Sequence, residues 1–298
     1  MVRPSSRWLV PGLVLLIAAC GDGGSGARAK IPKALLIGID GVRPDALRTA
    51  STPNLDALVA DGAISYEAQT VVPSFSGPGW SSMLTGVLPA KHGVVTNLFL
   101  APAFDAFPAV TTRLEAARPE LVTASVVHWE PINLFILTDP DIAIAVRTDE
   151  QVAVQAAALL RDDDPDFVFL HFDDVDAAGH AFGFSPDVPE YLSTIEITDG
   201  YVGDVLAALR VRPTFGDEAW LILSSTDHGG LRQAHGGITP EELTTYVLVS
   251  GDRAARGRIE PAPRIYDVAP TVLESFGVRV DPAWELDGVS VGLRTNSD

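Results

Sequence analysis

The stretch Asp166–Asp174, DFVFLHFDD, constrains this chain most tightly. Its middle is apolar at both odd and even positions, so as a β-strand it must be covered on both faces. ALLIGID (Ala34–Asp40) and AWLILSSTD (Ala219–Asp227) repeat the pattern, and TTYVLVSGD (Thr244–Asp252) is a fourth such run. ISYEAQTVV, LVTASVVHW and IAIAVR read as further strands. Helix-like segments alternate with them. TPNLDALVADG is a helix capped by Thr52 and ended by a glycine, and PGWSSMLTG has Pro78 near its start. DEQVAVQAAALLRDD, PEYLSTIEITDGYVGDVLAALRV and YDVAPTVLESFG complete the set. Such alternation predicts a single three-layer α/β domain, a mostly parallel central sheet covered by helices, over residues 32–293.

The N-terminus stands apart from this pattern. Arg3 and Arg7 precede the apolar run Leu13–Ala19, which is too short for a comfortable membrane span, and residues 1–19 read as an export signal. Ile17-Ala18-Ala19-Cys20 resembles a bacterial lipobox, so cleavage before Cys20 and acylation of that cysteine are expected. Residues 20–31 would then tether the chain to the cell envelope. Cys20 is the only cysteine, which rules out an intramolecular disulfide. The net charge of −18 argues against docking to nucleic acid, whose phosphates require clustered Lys and Arg. It leaves small anionic substrates open, because bound divalent cations reverse the field of an acidic pocket.

Three of the buried runs end in acids: Asp40; Asp173, Asp174 and Asp176; and Asp227. In open parallel sheets ligands bind beyond the carboxyl ends of the strands, so these acids can converge. Histidine accompanies two of the three places. Asp176 and His180 are four apart, Asp227 and His228 are adjacent, and His235 follows shortly after. Carboxylate and neutral imidazole suit zinc-like ions. With a hydroxyl from SFSGPGWSSMLTG (Ser74–Gly86), the set could hold two ions with open positions, which suits phosphoryl transfer.

Five motifs occur in order: GIDGVRPD, SxxxxxxxLTGVLPAKHGVVTN, DAAGH, TDHGG and HGG. Together they resemble the alkaline phosphatase superfamily, and within it the type I phosphodiesterase/nucleotide pyrophosphatase proteins. The resemblance runs from about Lys33 to Gly292. It implies Ser76, nine positions before Thr85, as the nucleophile. It implies one Zn2+-type ion on Asp176, His180 and His235, and a second on Asp40, Ser76, Asp227 and His228. Asn97, twenty-one positions after Ser76, would contact a phosphoryl oxygen. The expected function is two-metal hydrolysis of a small-molecule phosphate ester, as a phosphodiesterase or pyrophosphatase, through a phosphoseryl intermediate.

The chain departs from the pattern in places. Ser76-Gly77-Pro78-Gly79-Trp80 stands where relatives carry Thr-Phe-Pro-Asn-His. A phosphomonoesterase of the superfamily would add a phosphate-binding arginine, whereas Arg43 is expected to pair with Asp45. A sulfatase would need arginine where Trp80 stands and paired acids in place of Asp40-Gly41. A non-catalytic surface binding protein on the same fold would be expected to have lost ligands. Of the other histidines, His171 reads as a core residue and His92 as the closure of a turn. His128 and Trp129 would line a pocket or simply pack. Asp173 and Asp174 compete with Asp176 for the metal.

Overall fold

The computed structural model describes residues 29–294. The expected export signal, Cys20 and most of the expected tether lie outside the described residues. Eight strands form one sheet: β1 (Ile31–Ile39), β2 (Ala63–Gln69), β3 (Thr123–Val127), β4 (Ile142–Ala145), β5 (Phe167–Phe172), β6 (Glu218–Ser225), β7 (Thr244–Gly251) and β8 (Gly257–Arg258). Their order across the sheet is β4-β3-β5-β1-β6-β7-β2-β8. The three acid-ending runs are therefore the adjacent strands β5, β1 and β6, and all three are parallel.

The two-residue period of a strand sorts the core into two layers. Ala34 and Leu36 of β1, Phe167 and Phe169 of β5, and Leu221 and Leu223 of β6 face one side. They pack on Trp80, Met83 and Leu84 from the helix Ser76–Thr85 and on Val268 and Val272 from the helix Val268–Ser275. Leu35 and Ile37, Val168 and Leu170, and Ile222 face the other. They pack on the helices Asp149–Asp162 and Pro189–Arg210. This is the three-layer arrangement expected from the alternation.

The sheet is mostly parallel, as expected, with one exception, and one local expectation, the Thr52 cap, needs correcting. β7 runs antiparallel to both β6 and β2. The segment that joins β6 to β7 carries only the four-residue helix Pro240–Leu243, with no long helix to cross back over the sheet as a parallel return usually has. Thr52 does occupy the N-cap of the helix Pro53–Ala60, but its hydroxyl makes no capping bond. The cap comes from the long helix instead: the buried Asp199 carboxylate accepts the N–H groups of Asn54 (3.1 Å) and Leu55 (2.8 Å). Among the described residues, no helix is long and apolar enough to cross a membrane.

Candidate active site

Beyond the carboxyl ends of β5, β1 and β6 the chain turns into segments that carry the predicted residues. Asp40 follows β1 directly. After β5 the chain enters the helix Asp174–Phe182, which sets Asp176 and His180 one turn apart, Oδ2 to Nε2 at 3.3 Å. That helix comes close because residue 41 is glycine. Its φ is +68°, and a Cβ there would lie 2.8 Å from Asp176 Oδ1. The loop after β6 supplies Asp227, His228 and His235.

The three imidazoles are oriented alike. His228 Nδ1 donates to the Gly229 carbonyl (2.7 Å), His180 Nδ1 to that of Gln233 (3.0 Å) and His235 Nδ1 to that of Ser74 (3.0 Å). Each Nε2 is thereby turned inward, as a metal-binding imidazole requires. His228 Nε2 lies 3.2 Å from Ser76 Oγ and 3.3 Å from both Asp40 Oδ1 and Asp227 Oδ2. His235 Nε2 lies 3.6 Å from Asp176 Oδ1 and 3.1 Å from His180 Nε2. The His228 and His235 rings stack at 3.7 Å, so the two groups are contiguous.

Asp40 Oδ1, Asp176 Oδ1 and Asp227 Oδ2 are buried without a hydrogen-bond partner. Buried, unpaired carboxylate oxygens are costly, and two imidazole nitrogens at 3.1 Å need a positive charge between them. Burial, reinforced by the charges of Asp40 and Asp176, pushes the Asp227 carboxyl well above the usual range. Burial also raises Asp40, but the His171 hydrogen bond and the nearby His228 charge overcome it, and the net shift is downward. His180 is pushed up to about 9, chiefly by its bond to Asp176. Burial, helped by His228, pulls His235 down to about 4. Acceptors without donors, on carboxylates and imidazoles that face one another, fit divalent cations of the zinc type.

Ser76 is the first residue of its helix. It makes no capping bond, and its Oγ is the one hydroxyl of the Ser74–Gly86 stretch that meets the cluster. Ser74 is tied to Gly236 and Gly237, Ser82 to His92, and Thr85 to the Ser81 carbonyl. Asn97 arrives beside Ser76, where its Oδ1 accepts the Gly77 N–H at 2.7 Å. That bond limits which amides at the start of the helix are open to an anion. Gly77 is engaged and Pro78 has no N–H, so of the first three positions only Ser76 offers a free amide, and Asn97 Nδ2 is the added donor.

All seven predicted ligands and Asn97 come together. Asp173 and Asp174 do not join His180 and His235. Their amides bind the Asp149 carboxylate, which also accepts from His128 Nδ1 (2.9 Å). Arg43 pairs with Asp45 as expected, and also reaches the Phe184 carbonyl. His92 closes its turn onto the Val94 N–H. His171 is buried as expected but is more than core: it bonds Asp40 at 3.1 Å, as does the Trp80 indole N–H at 2.8 Å. The sequence signal available for both was the alternation that puts residues 38, 40, 169 and 171 on one face of adjacent strands.

A sequence model of the type I phosphodiesterase/nucleotide pyrophosphatase family matches residues 34–134 and 122–268. Bovine bis(5'-adenosyl)-triphosphatase is 24% identical over 243 residues, which is 73% of this chain and 52% of that protein. The chain spans about half the length of the curated relatives it matches. Murine ectonucleotide pyrophosphatase/phosphodiesterase 5, solved as an inactive Thr-to-Ala variant in complex with AMP, superposes with a TM-score of 0.69. It is 14% identical and the match covers 84% of this chain and 96% of that one. A 2-O GAG sulfatase also superposes at 0.69, with 15% identity over 88% and 73% of the two chains. At these identities the two structures speak to the fold alone.

Proposed function

The chain belongs to the type I phosphodiesterase/nucleotide pyrophosphatase family, and from that premise we propose that it is a two-cation phosphohydrolase that uses Ser76 as nucleophile on a phosphodiester or pyrophosphate. One observation carries this reading. Three inward-turned imidazoles and three unpartnered buried carboxylate oxygens form one contiguous cluster, and a single hydroxyl meets it at His228 Nε2.

Asp176, His180 and His235 would hold one ion; Asp40, Asp227, His228 and the Ser76 oxygen would hold the other. Bound there, the ions would lower the pKa of the Ser76 hydroxyl and neutralise the phosphoryl oxygens. Ser76 Oγ forms the bond to phosphorus as the bond to the leaving oxygen breaks. The proton displaced from Ser76 passes to solvent, and the leaving oxygen takes a proton from solvent. A water then attacks the seryl phosphate from the opposite side, the P–Oγ bond breaks, and Ser76 regains a proton. Asn97 Nδ2 and the Ser76 amide donate to the phosphoryl oxygens that these steps load with charge. The dinucleoside triphosphate in the bovine relative's name supports a nucleotide-type ester as the substrate class.

The sulfatase reading needs an arginine at position 80, where this chain has a tryptophan whose indole donates to Asp40, and that counts against it. Residues 1–19 as export signal and Cys20 as acylation site belong to the same proposal, with the catalytic domain held at the bacterial envelope. The test is metal content measured with turnover of an aryl phosphodiester, an aryl monoester and an aryl sulfate. We expect about two zinc-type ions per chain and hydrolysis of the diester first. A single calcium, or preference for the sulfate, would overturn the proposal.

A further inference from the structure

The two oxygens of Asp40 face different surroundings. Oδ1 has no hydrogen-bond partner and lies 3.3 Å from His228 Nε2, beside Ser76 and Asp227. Oδ2 takes two N–H groups, from Trp80 Nε1 at 2.8 Å and His171 Nε2 at 3.1 Å. The direction of the second bond is set from behind: His171 Nδ1 accepts the Trp129 amide at 3.3 Å, so the ring proton sits on Nε2. Both rings are completely buried. The indole meets residue 38 with the tip of its six-membered ring, and that residue must be glycine because a Cβ there would lie 2.5 Å from Trp80 Cη2. It also meets Phe169 and His171 edge-on, at 5.9 and 5.0 Å between centroids.

Trp80 stands one helical turn after Ser76, on the same face of the same helix. One rigid element therefore delivers both the hydroxyl and the donor that orients Asp40. Asp40, His171 and Asp173 also lie close enough to form a cation site of their own. Against that use, Oδ2 already faces two N–H groups, and an indole nitrogen donates only and cannot ligate.

We propose that Trp80 and His171 are positioning residues. They hold Asp40 so that it offers Oδ1 alone to the cation shared with Ser76, Asp227 and His228, and they close its outer side to a third ion. This rests on the cation sites proposed above. Donors that orient a metal ligand from behind in this way typically change metal affinity by about 10- to 100-fold.

The test is zinc titration of the chelator-stripped full chain against a competing chromogenic chelator, for wild type, Trp80→Phe, His171→Leu and His171→Gln. Trp80→Phe keeps an aromatic ring without the N–H, and the glutamine amide restores a donor toward Oδ2. All four proteins should saturate at about two ions. In Trp80→Phe and His171→Leu one of the two affinities should weaken by about 10- to 100-fold while the other holds, and His171→Gln should recover most of that loss. Unfolding of the metal-free proteins, followed in parallel, separates packing from positioning. If Trp80→Phe does not fold, the two His171 variants decide alone. Three ions in wild type falling to two in His171→Leu would replace the proposal with a third site. Unchanged affinities, or equal weakening of both, would reduce the pair to packing. Fewer than two ions in wild type would overturn the two-cation reading along with it.

Discussion

Ser76→Ala separates chemistry from architecture more sharply than any other change in this protein. The hydroxyl makes one contact of hydrogen-bond length, 3.2 Å to His228 Nε2, and caps nothing. A neutral hydrogen bond contributes about 1 kcal/mol, and for a chain of this size that moves the unfolding midpoint by roughly 2–4 °C. Removing a covalent nucleophile acts on another scale. Losses of at least ~10⁴-fold in turnover are usual, which is about 5.4 kcal/mol of barrier. The catalytic cost should therefore exceed the folding cost about fivefold. Asp176, His180 and His235 are untouched, and Asp40, Asp227 and His228 still surround the other position, so both ions should remain. Ser81→Ala, on the same helix, is the control: its buried hydroxyl has no partner, so the change should be neutral or slightly stabilising and leave the rate alone. Ser74→Ala is a poor control, because Ser74 binds Gly236 and Gly237 and its carbonyl holds His235. Quenching the wild-type reaction should trap phosphate on the peptide that contains Ser76, and two in-line displacements should retain configuration at phosphorus. Near-normal turnover by Ser76→Ala, or inversion at phosphorus, would mean that water attacks directly.

At the opposite end of the sheet, buried Glu218 accepts from Arg212, Thr214 and the Trp220 indole. Burial raises its carboxyl, but those bonds outweigh the burial and bring it down to about 2 from the ordinary 4.5. Because the folded value is the lower one, the stabilisation is complete above pH 4.5 and drains away as pH falls from there toward 2. Glu218→Gln should lower stability at pH 7 by about 3 kcal/mol and flatten the acid limb of the curve. Denaturant midpoints that stay parallel to wild type across that window would contradict the assignment. Cys20→Ser should abolish labelling by a fatty-acid analogue in a bacterial host, and label that persists would refute acylation at that residue.

The sheet was legible because its central strands are apolar on both faces, a composition that few other structures satisfy. Asp40, Asp176, Asp227 and His228 were legible because each follows such a strand closely, and neighbouring parallel strands bring their ends together. His180 and His235 lie further along the same connecting segments, and Ser76, which follows β2, came from the resemblance alone. What escaped depended on contacts across the chain. The cap from Asp199 lies 145 positions from Asn54, so Thr52 looked sufficient locally. His171 is 131 positions from Asp40 and shares its face only once β1 and β5 pair, with Gly38 opposite His171. Considered alone, a histidine inside an apolar strand reads as packing. The Gly77 amide was missed for a related reason, since nothing near residue 77 announces that a side chain twenty positions later will occupy it.

The charge of the whole chain and the charge of its proposed substrate set a last constraint. A protein at −18 repels phosphate esters at long range, and with cations bound Asp40, Asp176 and Asp227 would all be ionised, adding about three negative charges at the point of reaction. Two divalent ions would bring about four positive charges into the same space, leaving the pocket positive by about one unit before the hydroxyl ionises. The sign at the reacting phosphorus would then be set by the ions, while the outer surface stays acidic. Metal-free protein should accordingly lose affinity for an anionic ester as well as turnover, and that loss should shrink at high salt, where repulsion between exposed charges is screened. Binding of a non-hydrolysable phosphonate equally well with and without zinc would show that the local field does not depend on the ions, and the cation sites would then have no part in substrate capture.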